Sequence, residues 1–194
     1  IDGGAGVTVT RSAAGGTPNF RIFDVTVGNT ATFNKLTITN GNNPIQASGV
    51  QNSGTLTLND CVISGNTSGQ AGGLQNDGVM LVNNCTISNN VVNQEFISGG
   101  GAMANFGSSL TITNSTIAGN SSLGLGGGIF QGTGVLTVSN STLVRPTAAK
   151  AAVPAPRLMP ITYRLGLVLP MLPFIVPPIR NDVPSKVANV DRMS

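Results

Sequence analysis

The sequence predicts an all-β fold: a right-handed parallel β-helix of about 25 residues per turn, followed by a non-repetitive, proline-rich tail. The main observation is a phrase of alternating apolar and polar residues that occurs four times and, in a looser form, a fifth time. The copies occupy residues 32–38, 56–63, 81–87, 110–117 and 136–143. Their last apolar residues are 24 to 30 positions apart, and periods of this length are typical of solenoid proteins.

Each copy predicts two short strands joined at a corner. Leu56 and Leu58 alternate with polar residues, and after the polar pair Cys61 and Ile63 are again two positions apart. This period of two indicates strands with one buried face. The Asn-Asp, Asn-Asn or Asn-Ser pair between them indicates a corner, because Asn and Asp tolerate left-handed backbone angles. A further apolar position precedes each copy, at Val50, Leu74, Met103 and Ile129, and predicts another short strand. One period is therefore one turn of the solenoid, called a rung here, about 4.8 Å from the next.

Stacked rungs place equivalent residues in vertical rows, called files here. Two files of Asn are predicted, one formed by Asn66, Asn90 and Asn120 and the other by Asn52, Asn76 and Asn105. Stacked Asn side chains hydrogen-bond along a file, so these residues are interpreted as structural. Glycine groups also recur once per rung, at 72–73, 99–101 and 126–128, and are predicted to form corners with positive φ. No Lys and no helix follow them, which excludes a phosphate-binding loop.

The repeat resembles a known class of proteins. Gly-Gly-Gly-Ile at 126–129, Asn-Ser-Thr-Ile-Ala-Gly-Asn at 114–120 and Leu-Thr-Val-Ser-Asn-Ser-Thr-Leu at 136–143 are similar to segments of bacterial right-handed parallel β-helix repeat proteins. These include the polymorphic outer-membrane and autotransporter-adhesin types. The resemblance covers about residues 1–145. It implies a scaffold at the cell surface or in the extracellular space, in a family with few assigned chemistries.

Composition excludes several function classes. Only 9% of the 194 residues are charged and 4% are aromatic, and the chain contains no histidine. A Ser-His-Asp or Cys-His nucleophile is therefore absent, as is the commonest zinc ligand, and no cofactor or metal is predicted. The first 143 residues hold three basic and five acidic side chains, whereas the rest hold seven basic and two acidic ones. Because the excess positive charge is scattered over the tail, no nucleic-acid partner is predicted.

The tail, residues 146–194, is predicted to be separate from the β-helix of residues 1–145, because it holds nine of the eleven prolines and one of the 26 glycines. Its apolar segment 158–179 contains five prolines and Arg164, so a membrane-spanning helix is not expected. Left in water, this segment would form a large apolar patch. We therefore expect it to pack between the chains of a homo-oligomer, with a trimer ahead of a dimer, or to cap the last rung.

An alternative origin for the tail lies in its codons. The codons that must encode residues 146–153 permit Asn-Ser-Gly-Lys-Gly-Gly-Gly in a shifted reading frame. That frame would place an Asn three residues after Leu143, where the file of Asn66 predicts one, followed by a glycine triplet. A second hypothesis is therefore that a frameshift replaced the next rung with the tail.

The weak catalytic candidates are Lys35 and Asp60. They share a file that runs through Arg11, Lys35, Asp60, Asn84, Asn114 and Asn140, and they are expected to form a surface ion pair at the corner. No two acids share a position in neighbouring rungs, although glycosidases need two carboxylates. Cys61 and Cys85 share an inward-facing file and are interpreted as buried, stacked thiols, with a disulfide left open.

A candidate binding face lies on the outward side of the first strand of each copy. It is predicted to consist of Thr32, Asn34, Thr57, Asn59, Asn83, Thr111, Thr113 and Thr137. These residues form two neighbouring files, one mainly of Thr that is interrupted by Leu81 and one mainly of Asn. Thr8 and Thr10 are predicted to be the first residues of these two files. Thr8 and Thr10 are assigned to these files because Val9 is aligned with Phe33, 24 residues later. Such a face is typical of any strand with a solvated side, and also of glycan or protein adhesion and of ice-binding solenoids.

The sequence therefore favours a structural or binding scaffold of the surface or secreted type, without catalysis and with a glycan or protein ligand. Two alternatives stay open. One is a hydrolase that acts on polysaccharides or esters without histidine. The other is an ice-binding protein that uses the Thr and Asn files as its surface.

Overall fold

The computed structural model describes residues 1–95 and 98–144, and the backbone alone of two further strands, Thr147–Ala148 and Thr162–Tyr163. In chain order the strands are β1 (Asp2–Thr10), β2 (Phe23–Val25), β3 (Thr30–Thr39), β4 (Asn42–Asn43), β5 (Val50–Asn52), β6 (Thr55–Asn59), β7 (Val62–Ser64), β8 (Thr67–Ser68), β9 (Leu74–Asn76), β10 (Val79–Asn83), β11 (Thr86–Ser88), β12 (Val91–Val92), β13 (Met103–Asn105), β14 (Ser109–Thr113), β15 (Thr116–Ala118), β16 (Ser121–Ser122), β17 (Ile129–Gln131), β18 (Val135–Ser139), β19 (Thr142–Leu143), β20 (Thr147–Ala148) and β21 (Thr162–Tyr163). These described residues contain no helix, and so none that is long and apolar enough to cross a membrane. The all-β prediction is confirmed.

The strands form three parallel sheets that run along the axis of the molecule. Sheet 2 has the order β4-β8-β12-β16-β20 and sheet 3 the order β2-β5-β9-β13-β17, so neighbouring strands come from successive rungs. Sheet 1 has eleven strands and two arms, because the ten-residue β3 pairs through its first half with β6 and through its second half with β7. Parallel pairing of strands one period apart is the connectivity of a parallel β-helix, as predicted.

The core is a narrow column of apolar side chains enclosed by the three sheets. Its files include Ile38, Ile63, Ile87 and Ile117; Leu58, Val82 and Ile112; Leu56, Met80 and Leu110; and Val50, Leu74 and Met103, all at most 2% exposed. Full burial of one such side chain stabilises the fold by about 1.5–3 kcal/mol. Because every file crosses several rungs, these contacts hold neighbouring rungs together along the whole axis.

Both predicted Asn files are present and buried. Asn66 donates its backbone N–H and its Nδ2 to Oδ1 of Asn90 at 3.1 and 3.0 Å, and Asn90 repeats the pattern with Asn120. The other file makes amide-to-amide bonds at 2.8 and 2.7 Å between successive rungs. Each amide therefore satisfies buried groups of the neighbouring rung, which supports the structural interpretation.

The corner between the two arms of sheet 1 uses a left-handed residue in every rung. Lys35, Asp60, Asn84, Asn114 and Asn140 have φ between 49° and 56°. Asn and Asp reach this conformation more readily than most residues with a Cβ, because their short polar side chains bond to local backbone. The repeated polar pair of the sequence therefore marks the corner, as predicted.

The glycine groups act differently from the prediction. None of the glycines at 72–73, 99–101 and 126–128, all in the described part of the chain, has positive φ. A Cβ at Gly72 would instead overlap the carbonyl oxygen of Gly101, and a Cβ at Gly101 would overlap that of Gly127. The prediction of positive-φ corners was wrong, because glycine is required here by the close approach of backbone from neighbouring rungs.

The first rung stacks in a different register from the predicted one. Val9 pairs with Ile38 rather than with Phe33. The cause is a bulge within residues 2–7, where the pairing shifts and two glycines adopt positive φ. The bulge moves the rest of β1 onto the second arm of sheet 1.

Three residues consequently leave their predicted files. Thr8 and Thr10 stack on the second half of β3, and Nε of Arg11 donates a hydrogen bond to the carbonyl oxygen of Asn40 at 3.1 Å. The corner file therefore begins at β3, and the only residue of β1 paired with the binding face is Asp2, which pairs with Asn34.

Two strands of the tail continue the sheets by backbone pairing. β20 pairs with β16, and β21 pairs with β18, both in parallel. The predicted oligomer contact of residues 158–179 lies outside the described residues, apart from the backbone of Thr162–Tyr163, and stays a prediction.

Candidate functional site

The predicted binding face is a flat outer surface of sheet 1. The first arm of β3 and strands β6, β10, β14 and β18 lie side by side in register. Their outward positions form three files: Thr30, Thr55, Val79, Ser109 and Val135; Thr32, Thr57, Leu81, Thr111 and Thr137; and Asn34, Asn59, Asn83, Thr113 and Ser139. The structure brings all eight predicted residues together on this surface, which is called the threonine face here.

Hydrogen bonds hold the amide file of the threonine face in place. Nδ2 of Asn59 donates to Oδ1 of Asn34 at 3.0 Å, and Oγ1 of Thr113 donates to Oδ1 of Asn83 at 2.9 Å. The middle file is interrupted by Leu81, which is 37% exposed. The face therefore combines ordered amides, threonine hydroxyls and a small apolar area.

A second outward row of threonines, which the sequence did not lead us to predict, lies on the other arm of sheet 1. On the second arm of sheet 1, one file contains Thr8, Thr37, Val62, Thr86, Thr116 and Thr142. The sequence signal for this row is the Thr that precedes the last apolar residue in most copies of the repeat. The period of this Thr and the corner before it were both visible in the sequence, but the direction in which the corner turns this file away from the threonine face was not.

The two weak catalytic candidates line one open pocket of about 260 Å³. The pocket is bordered by Gly4, Ala5, Gly6, Lys35, Leu36, Thr37, Asp60 and Val62. One wall is therefore the bulge of β1, and the opposite wall is the corner of sheet 1. The pocket exists because the bulge lifts part of β1 away from its predicted stacking position.

Lys35 and Asp60 do not form the predicted ion pair. The described residues contain one salt bridge, between Arg21 and Asp24 at 3.1 Å. Oδ1 of Asp60 instead accepts a hydrogen bond from Nδ2 of Asn84. The ion-pair prediction was wrong because a donor in the following rung of the same file satisfies the carboxylate.

The pocket offers one ammonium group and one carboxylate. Across residues 1–95 and 98–144, no cluster of three or more His, Cys, Asp or Glu side chains could hold a metal ion. The pocket walls contain no second carboxylate, which both kinds of two-carboxylate glycosidase require. The chemistry available is proton abstraction by Asp60 and anion binding by Lys35.

Comparison with known proteins agrees with this geometry. A family model described as a right-handed beta helix region matches residues 2–151. The chain belongs to the right-handed beta helix family. Searches of curated proteins and of solved structures gave no match. The family match confirms the predicted fold and its hand, and it does not distinguish the outer-membrane or adhesin type from other β-helices.

This right-handed β-helix also carries a buried polar group on sheet 3 that the sequence did not indicate. Gln51 and Gln75 are 3% and 4% exposed, and both donate their side-chain amides to the carboxylate of Asp77. The Oε1 atoms of the two glutamines are buried and have no hydrogen-bond partner. The two buried side-chain amides therefore anchor Asp77, which is itself exposed at the turn after β9.

The two cysteines of the β-helix share a buried file at the corner, as predicted. Sγ of Cys85 accepts a hydrogen bond from the N–H of Cys61 at 3.4 Å. Oγ of Ser115 accepts one from the N–H of Cys85 at 3.0 Å, and Oγ of Ser141 accepts one from the N–H of Ser115 at 3.1 Å. Both thiols are free, so the disulfide left open by the sequence is not formed.

The two thiols shift each other's pKa in opposite directions. The neighbouring Cys85 thiol favours the charged form of Cys61 and lowers its pKa to about 7. The same contact, together with burial, raises the pKa of Cys85. Cys61 is therefore the thiol of the pair that ionises more readily.

Proposed function

We propose that this chain is a binding scaffold of the surface or secreted type, without catalysis, and that its threonine face binds a neutral, extended glycan. The observation that carries the proposal is the face itself, where five strands in register present hydroxyl and amide groups in straight files. Neighbouring strands repeat about every 4.8 Å, so the same groups recur along the axis. A surface on which the same polar groups recur at a short spacing can contact successive units of a polymer that also has a short repeat.

The charge of the threonine face favours a neutral ligand. Strands β3, β6, β10, β14 and β18 place no charged side chain in the three files. Charged residues border the face: Asp2, which pairs with Asn34 at the end of the amide file, and Lys35 and Asp60 at the corner. Hydroxyl and amide groups exchange hydrogen bonds with sugar hydroxyls, and the exposed parts of Val79, Leu81 and Val135 offer apolar contact to sugar rings. A polyanion would find no basic groups on these files.

Replacing Thr111 with Arg is expected to weaken glycan binding by at least about tenfold, or about 1.4 kcal/mol. Thr111 lies in the middle file, where a long charged side chain would hold the ligand away from the face. Thr116→Arg is the matched control, because it places the same change at an outward position of β15 in the same rung but on the other arm. Binding is measured by calorimetry against neutral polysaccharides, after circular dichroism shows that both variants are folded.

The same variants separate the proposal from its competitors. Equal loss of binding in both variants would show that the ligand does not use the threonine face. Binding of a protein but of no polysaccharide, again lost in Thr111→Arg, would replace the glycan with a protein ligand. If no polymer binds, and Thr111→Arg abolishes a thermal hysteresis of freezing, the ice-binding alternative is supported instead.

A hydrolase is the second candidate function, because one pocket holds Lys35 and Asp60. In that alternative, Asp60 would activate water and Lys35 would stabilise a developing anion. Asp60→Asn tests it well, since Asn already occupies this left-handed position at 84, 114 and 140 and should preserve the corner. We expect no turnover of esters or polysaccharides by the wild-type chain or by the variant.

The hydrolase would be established by wild-type hydrolysis that falls at least about a hundredfold in Asp60→Asn. The control is Asp24→Asn, because Asp24 is exposed and lies on sheet 3, away from the pocket. Activity that falls equally in both variants would point to a general loss of structure. Activity that falls in neither would place the chemistry elsewhere.

A further inference from the structure

The two buried thiols stack in a geometry that suits a metal ion. Cys61 and Cys85 occupy neighbouring rungs of one file, directly before the paired strands β7 and β11, and they are 1% and 2% exposed. Side chains of this file point in the same direction, because Sγ of Cys85 contacts the N–H of Cys61 as Oγ of Ser115 contacts the N–H of Cys85. The two sulfurs are therefore stacked along the axis of the β-helix.

Side chains with the same orientation in neighbouring rungs are separated by the strand spacing, which is about 4.8 Å. A disulfide requires sulfurs about 2 Å apart. When an ion lies between two thiolates, the distance between the sulfurs is about twice the metal–sulfur bond length of about 2.3 Å, or about 4.6 Å. With both side chains in this shared orientation, the spacing of the sulfurs matches an ion bridged by two sulfurs and is too long for a disulfide.

We propose that Cys61 and Cys85 form a two-sulfur site for a soft monovalent d¹⁰ cation, of which Cu(I) is the representative. Soft thiolates select Cu(I), whereas a structural zinc site needs four ligands. In the described parts of the chain, no third His, Cys, Asp or Glu side chain joins the pair. The thiol of Cys61 instead donates hydrogen bonds to the carbonyl oxygens of Asn59 and Phe33, at 3.2 and 3.4 Å, and carbonyl oxygens are hard ligands that do not suit Cu(I).

Binding of the ion is a simple exchange of bonds. Two S–H bonds break, two S–Cu bonds form, both protons pass to solvent, and no atom changes its oxidation state. The residues on either side of Cys61 in the chain, Asp60 and Val62, line the 260 Å³ pocket. Cys61 itself points into the core and does not line the pocket, so an ion must pass the backbone of this corner to reach the buried sulfurs.

The test is a titration of the fully reduced chain with Cu(I) in the absence of oxygen, buffered by the competing chelator bicinchoninate. One ion per chain is expected, and X-ray absorption should show two sulfur neighbours and no nitrogen or oxygen. Cys61→Ser and Cys85→Ser should each lose the ion, and both should fold, because Ser115 and Ser141 fill this position in later rungs. Met103→Leu, which removes a buried thioether at similar volume, should bind like the wild-type chain.

Several outcomes would overturn the proposal. One is that the wild-type chain retains no more Cu(I) than the chain with both cysteines replaced by serine. Equal affinity for Zn(II), or an absorption spectrum with three or more ligands, would contradict the two-sulfur site. A chain purified in air with a mass two daltons below the reduced value, which binds no ion after reduction, would assign the pair to a disulfide instead.

Discussion

Gly72→Ala is expected to destabilise the β-helix by more than about 4 kcal/mol or to prevent its folding. A Cβ at this position would overlap the carbonyl oxygen of Gly101 in the following rung. It would also lie 2.8 Å from the backbone nitrogen of Val91 and 3.0 Å from Cβ of Asn90. Backbone atoms cannot rotate away as the end of a long side chain can, so relief requires that the rungs separate and lose their pairing.

The matched control for Gly72→Ala is Gly15→Ala. A Cβ at Gly15 meets no atom within 4 Å, and the φ of this residue is not positive, so the free energy of unfolding should change by less than about 0.5 kcal/mol. Urea unfolding followed by far-ultraviolet circular dichroism measures both variants. A Gly72→Ala chain that unfolds at the wild-type urea concentration would contradict the explanation by close backbone approach.

Asn90→Ala is expected to lower the free energy of unfolding by about 4 kcal/mol, because several buried groups lose their partners together. Nδ2 of Asn90 donates to the carbonyl oxygen of Ile63 at 2.9 Å and to Oδ1 of Asn120 at 3.0 Å. Its Oδ1 accepts from the backbone N–H and the Nδ2 of Asn66 at 3.1 and 3.0 Å. An alanine methyl group can replace none of these bonds, and Asn90 is fully buried, so bulk solvent does not reach the groups that lose them.

Asn93→Ala is the control for this change, since Asn93 is an exposed asparagine only three residues away. Its variant should unfold at the wild-type urea concentration. Hydrogen exchange should show that Asn90→Ala loses protection in its own and the adjoining rungs first, because a solenoid transmits stability between neighbours. Equal stability of the two variants would show that the Asn file contributes little beyond the apolar core.

The sequence repeat was sufficient to predict those features of the fold that depend on the stacking of rungs. The spacing of Ile63, Ile87 and Ile117 placed them in one buried file, and the spacing of Asn66 and Asn90 placed their amides within hydrogen-bonding distance. The threonine face followed from the same register, because side chains of a strand alternate between its two faces. Each of these predictions needed only the period and the alternation.

Other features of the structure depended on distances between atoms, which the period of the repeat does not specify. The glycines at 72 and 101 were assigned to a left-handed turn, whereas the structure requires them for close contact between rungs. The register of β1 was missed because a bulge adds residues that have no partner in β3. The pairing of Asp60 with Asn84 instead of Lys35 depended on where the corner directs each side chain.

By itself, the sequence determined the architecture of this protein: the parallel β-helix, its rungs, its inward and outward files, and the absence of any histidine chemistry. It could do so because each rung contacts only its neighbours, so a local repeat specifies the global fold. Only the tertiary structure decided how the bulge of β1 opens a pocket beside Lys35 and Asp60, and that Asp60 accepts a hydrogen bond from Asn84 instead of pairing with Lys35. Both arrangements arise from the path of the backbone through bulges and corners, which positions side chains to within an ångström and leaves no periodic trace in the sequence.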